Sequence, residues 1–392
     1  MKIIKTLALF GLICIVLISC YPSLLNRLES EQPTVGQDIN ETDDNDTNDV
    51  NDNDSDKAED NDNNEKDKEN NKDETNDEDN AEKEIDPREQ IDLTLKPNEI
   101  GQVMVLMYHS IGQVEAEWRR TPENLRRDLI TLYENDYRAI SLKDFVNNNI
   151  DVEAGYTPVV ITFDDGHKDN FNILMDDDEL VIDSDCAIGI MEEFKKEYPD
   201  FNITATFFLN GSVPFRQEDL VEYKLNWLIE NGYDVGNHTL NHNSMKGVTD
   251  PNAMQKYIGG QANFLESFLD GYEVNTYALC NGERPDKEYY KYLAEGSYED
   301  KNYKNIAILE VGWDPSVSPV DKRFDPLGIH RVRASETKVD GVGMYDWLKA
   351  FDKGTRLRYI SDGNPNVITI PEKYVDRLDD EKVKDKLLYI YK

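Results

Sequence analysis

Between about Gln37 and Asp86 the chain is almost entirely Asp, Asn, Glu, Lys and Thr, with repeated Asp-Asn and Asn-Asp steps. So little apolar surface cannot offset the entropy lost on ordering, and disorder is the expectation. Like charges should keep the stretch extended. Any core must therefore come from the C-terminal remainder of the 392-residue chain. That leaves roughly 290 residues, enough for one large α/β domain. The net charge is -37 at pH 7, which argues against a nucleic-acid partner and against simple adhesion to anionic lipid. The acidic stretch suits a tether. Its alternating Asp residues also suit calcium coordination, but the glycine-containing loops of calcium motifs are missing.

The first residues read as a targeting segment. Lys2 and Lys5 precede an apolar run from Leu7 to Ile18. The run is too short for a membrane span and fits a signal peptide over residues 1–19. Leu17-Ile18-Ser19-Cys20 resembles the lipobox of bacterial lipoproteins, which implies lipid on Cys20. An ordinary secretory signal or an uncleaved anchor is the alternative. The resulting order is an anchor outside the bacterial cell membrane, a tether over 20–98 and a folded domain over 99–392. Beyond Cys14 and Cys20 only Cys186 and Cys280 remain. An exported protein could join them, but spacing does not show that they meet. There is no Cys-x2-Cys pair for a thiolate zinc site.

A globular pattern starts near Ile100. Val103 to Met107, Val159 to Phe163, Ile203 to Leu209, Tyr233 to Val235, Thr276 to Leu279, Ile306 to Val311, Ile329 to Val332 and Val367 to Ile370 read as short buried strands. Leu125, Leu129, Leu132 and Tyr133 lie on one face of a helix opened by Thr121-Pro122, and Leu220 to Glu230 forms another before Gly232. Strands alternating with helices predict a parallel sheet, open or closed into a barrel, with polar motifs after the strand ends. Met175 to Cys186 interrupts this rhythm and reads as a peripheral hairpin.

Two motifs carry chemistry. Thr162-Phe163-Asp164-Asp165-Gly166 ends one strand, and His238 and His242 follow in Asn-His-Thr-Leu-Asn-His. Asp165 with the two histidines makes a set suited to zinc, cobalt or nickel, with positions left for water and substrate. Asp164 stays free to take a proton from water. Taken alone, each motif has a plainer reading: surface histidines, and a turn aspartate capping a helix. Asp169 suits that capping role better than Asp164 does.

Together, T-F-D-D-G and H-T-L-N-H resemble the polysaccharide deacetylase family, also called the NodB-homology or carbohydrate esterase four family. Tyr108-His109-Ser110-Ile111 adds to the likeness, which runs from about Val103 to Arg333. The resemblance implies a distorted (β/α) barrel and metal-dependent removal of acetyl groups from an acetylated polysaccharide. It implies Asp165, His238 and His242 as metal ligands and Asp164 as catalytic base. The third motif departs from the family's Pro-aromatic-Gly: here it is Leu279-Cys280-Asn281-Gly282. Asn281 falls where a backbone N–H would stabilise an oxyanion, and Arg284 could supply a charge near Asp164. Trp313 would be a pocket wall, His330 the acid that protonates the leaving amine, and His109 a pocket histidine. His167 stands where an aromatic is frequent. The altered third motif also allows a second reading, a catalytically silent carbohydrate-binding or wall-organising lipoprotein.

Overall fold

Short runs of β-branched and aromatic residues, each stopped by polar or turn residues, build the sheet. Its strands are β1 Met104–Tyr108, β2 Thr157–Asp164, β3 Thr206–Leu209, β4 Asp234–Asn237, β5 Thr276–Ala278, β6 Ala307–Leu309 and β7 Val332–Arg333. The structure, a computed structural model, describes residues 85–177 and 179–392. These lie within the compact unit Asn80–Lys392. The expected signal peptide, Cys20 and the expected tether as far as residue 84 fall outside the described residues.

The spatial order is β6-β5-β4-β3-β2-β1-β7, and every pairing along it is parallel. One parallel bridge, Leu309 to Ile329, then joins β6 to the residues just before β7. Ile329 N–H donates to Ile308 O at 2.9 Å, and Glu310 N–H donates to Ile329 O at 2.9 Å. The sheet thus curls back on itself across a thin seam. This is the expected α/β architecture, a distorted (β/α) barrel. A short strand, Tyr137–Ala139, pairs with the start of β2.

Alternation along the strands sorts side chains between two layers. Val103, Val105, Val160, Phe208, Ala278, Ala307, Leu309 and Ile329 pack together on the inner face. Leu106, Tyr108, Ile161, Phe163, Phe207, Val235 and Val332 face outward. There they meet the apolar stripes of helices α1 Pro122–Glu134, α2 Ala187–Glu197, α3 Val221–Glu230 and, further along, α5 Met344–Asp352. Between α3 and α5 lies α4 Pro251–Glu266. Truncating a fully buried ring such as Phe208 to Ala should cost about 3–5 kcal/mol. Gly236 allows a close approach inside the barrel: a Cβ there would lie 2.5 Å from the Phe208 ring.

The helix starts follow local chemistry. Thr121 caps α1, its hydroxyl accepting from Asn124 N–H, with Pro122 in the first turn. Cys186 caps α2 through its sulfur, and both Cys186 and Cys280 are buried free thiols. The interrupting segment is an antiparallel hairpin, Ile173–Asp176 with Glu179–Ile182, and Met175 is largely exposed. Val367–Pro371 (β8) leaves the barrel and pairs in parallel with Leu387–Tyr391 (β9). Turns form ahead of the expected domain start at residue 99, over Pro87–Gln90 and Leu93–Leu95. Asn98 N–H already donates to Ile360 O at 2.8 Å.

Candidate active site

The inward parity that places Val160 in the barrel also turns Thr162 and Asp164 inward. Along β1 it selects Val103, Val105, Met107 and, just past the strand, His109. On the last segment it selects Ile329 and Arg331. Three elements thereby deliver polar side chains to the C-terminal rim, where folds of this kind carry their sites.

Arg331 grips Asp164 through two parallel bonds, Nη1 to Oδ1 and Nη2 to Oδ2, both 2.7 Å. Both side chains are buried. The guanidinium also donates to Glu310 O at 3.0 Å and Thr162 Oγ1 at 3.2 Å, so four of its N–H groups are held by fixed partners. Burial by itself would push the Asp164 carboxyl up. The charges of Arg331 and His238, with the Arg331 hydrogen bonds, outweigh it and hold the carboxyl below the usual range. His109 Nε2 lies 3.8 Å from Asp164 Oδ2. Burial pushes the His109 imidazole down to about 4, with Asp164 and Asp165 offsetting only part of the effect.

Asp165 points elsewhere because the chain turns at it. Its φ is 73° and that of Gly166 is 57°. The left-handed region is tolerated by Asp more readily than by most residues. At Gly166 a Cβ would also meet Leu209 Cδ2 at 2.8 Å. The turn brings Asp165 Oδ1 to 3.4 Å from His238 Nε2 and 3.4 Å from His242 Nε2. Asn210 Nδ2 donates to the same oxygen at 3.0 Å, and His167 Nε2 lies 3.3 Å from Oδ2. Burial opposes ionisation here too, but contacts with His167 and His238 hold the Asp165 carboxyl far below the ordinary range.

The two histidines meet through a wound loop rather than a helix. Asn237 Oδ1 accepts from Thr239 N–H at 2.8 Å, and Thr239 Oγ1 accepts from Asn243 N–H at 2.6 Å. Thr239 and His242 both take positive φ. His238 is buried, and its Nδ1 lies 2.8 Å from Ala278 O. A carbonyl can only accept, so Nδ1 carries a proton, and Nε2 is the nitrogen turned toward Asp165, the one that would hold a cation on losing its own proton.

Two donor sets compete for a cation here. His238, His242 and Cys280 have ligand atoms within 4.8 Å of one another. Yet Cys280 Sγ lies 3.9 Å from His238 Nδ1, on the side already bonded to Ala278, and it also contacts Thr239 Oγ1 at 3.3 Å. The Nε2 atoms of both histidines instead converge on Asp165. Nitrogen and carboxylate donors of that set fit a divalent transition ion.

The other expected residues lie further out. Asn281 is exposed on the turn Cys280–Gly282 with φ 57°, directly after the cysteine that backs His238. The turn forms without a proline, and Asn281 and Gly282 both take positive φ. Arg284 does not approach Asp164: it pairs with Glu310 at 2.6 Å, and the charge at Asp164 is Arg331. His330 is not brought to the cluster. Its neighbours Ile329 and Arg331 point inward, so it points out, half-exposed and 3.9 Å from Glu310 Oε2. Asp314 pairs with Arg356, and Trp313 is 63% exposed, with its carbonyl accepting from Trp347 Nε1. The motifs by themselves did not reveal Arg331 or the reach of His109. The signal for both was strand parity, read outward from Asp164.

Residues 190–296 match the polysaccharide deacetylase family, a span that includes both histidines and the Cys280–Gly282 turn. YxkH of Bacillus subtilis (strain 168), whose name includes the words polysaccharide deacetylase, is 21% identical over 242 residues, covering 62% of this chain and 74% of YxkH. BC0361 of Bacillus cereus, a polysaccharide deacetylase of known structure, is 20% identical with a TM-score of 0.43, over 61% of this chain and 67% of that one. The deacetylase PplD of Streptococcus pyogenes, solved with acetate, is 17% identical with a TM-score of 0.47, over 63% of this chain and 97% of that one. The matched span holds the paired histidines, and the barrel brings the paired aspartates to them, so the likeness to polysaccharide deacetylases falls on the residues that build the site.

Proposed function

We propose that this enzyme hydrolyses acetyl groups, chiefly N-acetyl groups of amino sugars, from a polysaccharide of the cell envelope, with a divalent cation at Asp165, His238 and His242. The observation that carries this reading is the divergence of two consecutive carboxylates, Asp164 onto an arginine and Asp165 onto two imidazoles. A zinc, cobalt or nickel ion held there would polarise the acetyl carbonyl and make a bound water acidic enough to attack it.

Every other task falls to side chains and backbone. Asp164, kept ionised by Arg331, accepts the proton of the attacking water. His109 lies 3.8 Å from the same carboxylate, and its partial burial keeps it neutral. It is therefore placed to receive that proton and pass it to the departing amine, the task the sequence had suggested for His330. The Asn281 N–H, at the turn backing His238, serves the oxyanion if substrate docks over that turn. The lipid on Cys20 and the acidic tether would hold this domain outside the cell within reach of wall polymer, a reading that rests on the sequence alone.

Acetate release from a panel of N- and O-acetylated glycans, with zinc or cobalt added, tests the activity. Release with some member of the panel is the expected result. Silence on all of them would favour the carbohydrate-binding reading. His238→Ala should lose most bound metal as well as activity, since only Asp165 and His242 would remain; full occupancy in that variant would remove the ligand assignment. Cys20→Ser should release the protein into the medium or leave it unprocessed, and unchanged membrane fractionation would point to residues 7–18 as an anchor.

A further inference from the structure

Trp118 is an exposed aromatic beside the reacting groups, and nothing in the proposed chemistry uses it. It is 42% exposed. Its centroid lies 4.9 Å from the His109 ring, tilted by 53°. The guanidinium of Arg333 sits over the ring at 4.8 Å from its centroid. Arg333 is held in turn by Glu117 at 3.0 Å and by Lys338 O. The indole is thus supported by a fixed cation and by the imidazole, while much of its surface stays open.

The loop that carries it is fastened on several sides. Ser110 N–H donates to Trp118 O at 3.3 Å, and Gly112 N–H donates to Arg120 O at 2.9 Å. Arg120 is buried and bonds Asp128 of α1 at 2.5 and 2.8 Å. Ser335 Oγ donates to Ala116 O at 2.9 Å. A ring so held loses little freedom when it is covered. Trp313, by contrast, has only its backbone carbonyl tied down.

We propose that Trp118 is the stacking platform for the pyranose ring that carries the acetyl group, setting that group beside His109 and Asp164. The apolar C–H face of a sugar ring suits the electron-rich face of an indole, and its hydroxyls suit the charged rim of Glu117, Arg333 and Lys338. This rests on the glycan-deacetylase reading, so the test separates the two. On acetylated glycan, Trp118→Ala should raise KM roughly three- to tenfold with little change in kcat, and Trp118→Phe should recover most of the loss. On a ring-free acetyl ester both variants should match the wild type. Equal losses on both substrates would mean that Trp118 merely props His109, and an unchanged KM on glycan would overturn the proposal outright. Binding of N-acetylglucosamine oligomers and acetylated xylan to Asp164→Asn, with and without Trp118→Ala, gives a readout that needs no turnover. Binding lost with Trp118 while the wild type releases no acetate would keep the platform and reject the deacetylase. Acetate release with equal binding by both proteins would do the reverse.

Discussion

Two regions of this protein each bury a carboxylate, with opposite results. At the barrel rim Asp164 meets the two-pronged guanidinium of Arg331 and stays ionised. On the far side of β1, Glu99 is buried among neutral donors, Tyr359 Oη at 3.0 Å and Thr369 N–H at 3.0 Å. Another carboxylate, Asp362, acts on it by charge and is itself bonded by Thr369 Oγ1 at 2.6 Å. Burial and the repulsion of Asp362 push Glu99 up to about 8, despite those hydrogen bonds. Burial raises a carboxyl in both places, and the charge beside it decides the outcome. The rim uses a cation to keep a base available. The Glu99 cluster, which fastens residues 98–99 to β8, keeps a proton instead.

The largest effect expected from breaking this contrast is at Arg331. Arg331→Met should leave Asp164 buried without a partner, destabilise the fold by about 3–5 kcal/mol and remove nearly all turnover. Arg331→Lys should recover little, because an ammonium cannot make both parallel bonds. Thermal melts and acetate release check both variants, and full activity in either would show that Asp164 does not depend on the guanidinium. Next comes Asp164→Asn, expected to keep metal and to lose two to four orders of magnitude in turnover, the usual scale for acid–base groups. Near-normal turnover there would assign water activation to another residue.

The Glu99 side of the comparison predicts a pH dependence of stability. Its folded pKa is raised to about 8, against an ordinary value of about 4.3. Between these values the folded state binds more protons than the unfolded state. The stabilisation is complete below the ordinary value and is lost as pH rises through the folded one. The melting temperature should therefore fall as pH rises from 5 to 8, by several degrees if the loss is on the order of 1–3 kcal/mol. Asp362→Asn removes the repelling charge and should flatten that slope. A slope identical to wild type would show that Asp362 is not its cause.

The smallest expected effect is at His330. Facing out of the barrel, it should tolerate Ala with less than about a twofold change in kcat/KM, within the range of ordinary surface substitutions. His109→Ala should instead cut amide hydrolysis far more than hydrolysis of an activated ester. If the two histidines behaved the other way round, strand parity would be the wrong guide to this site.

Much was legible from residue order alone. The acidic stretch, the alternation of strands with helices and the pairing of T-F-D-D-G with H-T-L-N-H are local patterns, written in consecutive residues. Local chemistry also explains why Asp165 can leave the strand direction, with Gly166 behind it. What residue order could not decide was which face of each strand turned inward. His330 and Arg331 are adjacent, and both are plausible partners for a carboxylate. Period-two alternation guarantees only that they point opposite ways. The choice was made by β6 and β1, which take hold of the Ile329–Arg333 segment from its two sides and turn Ile329 and Arg331 into the barrel. The same closure carried His109 to Asp164 across 3.8 Å and left Arg284 to Glu310. Partners so far apart along the chain meet only when the sheet curls, so tertiary structure alone could assign them.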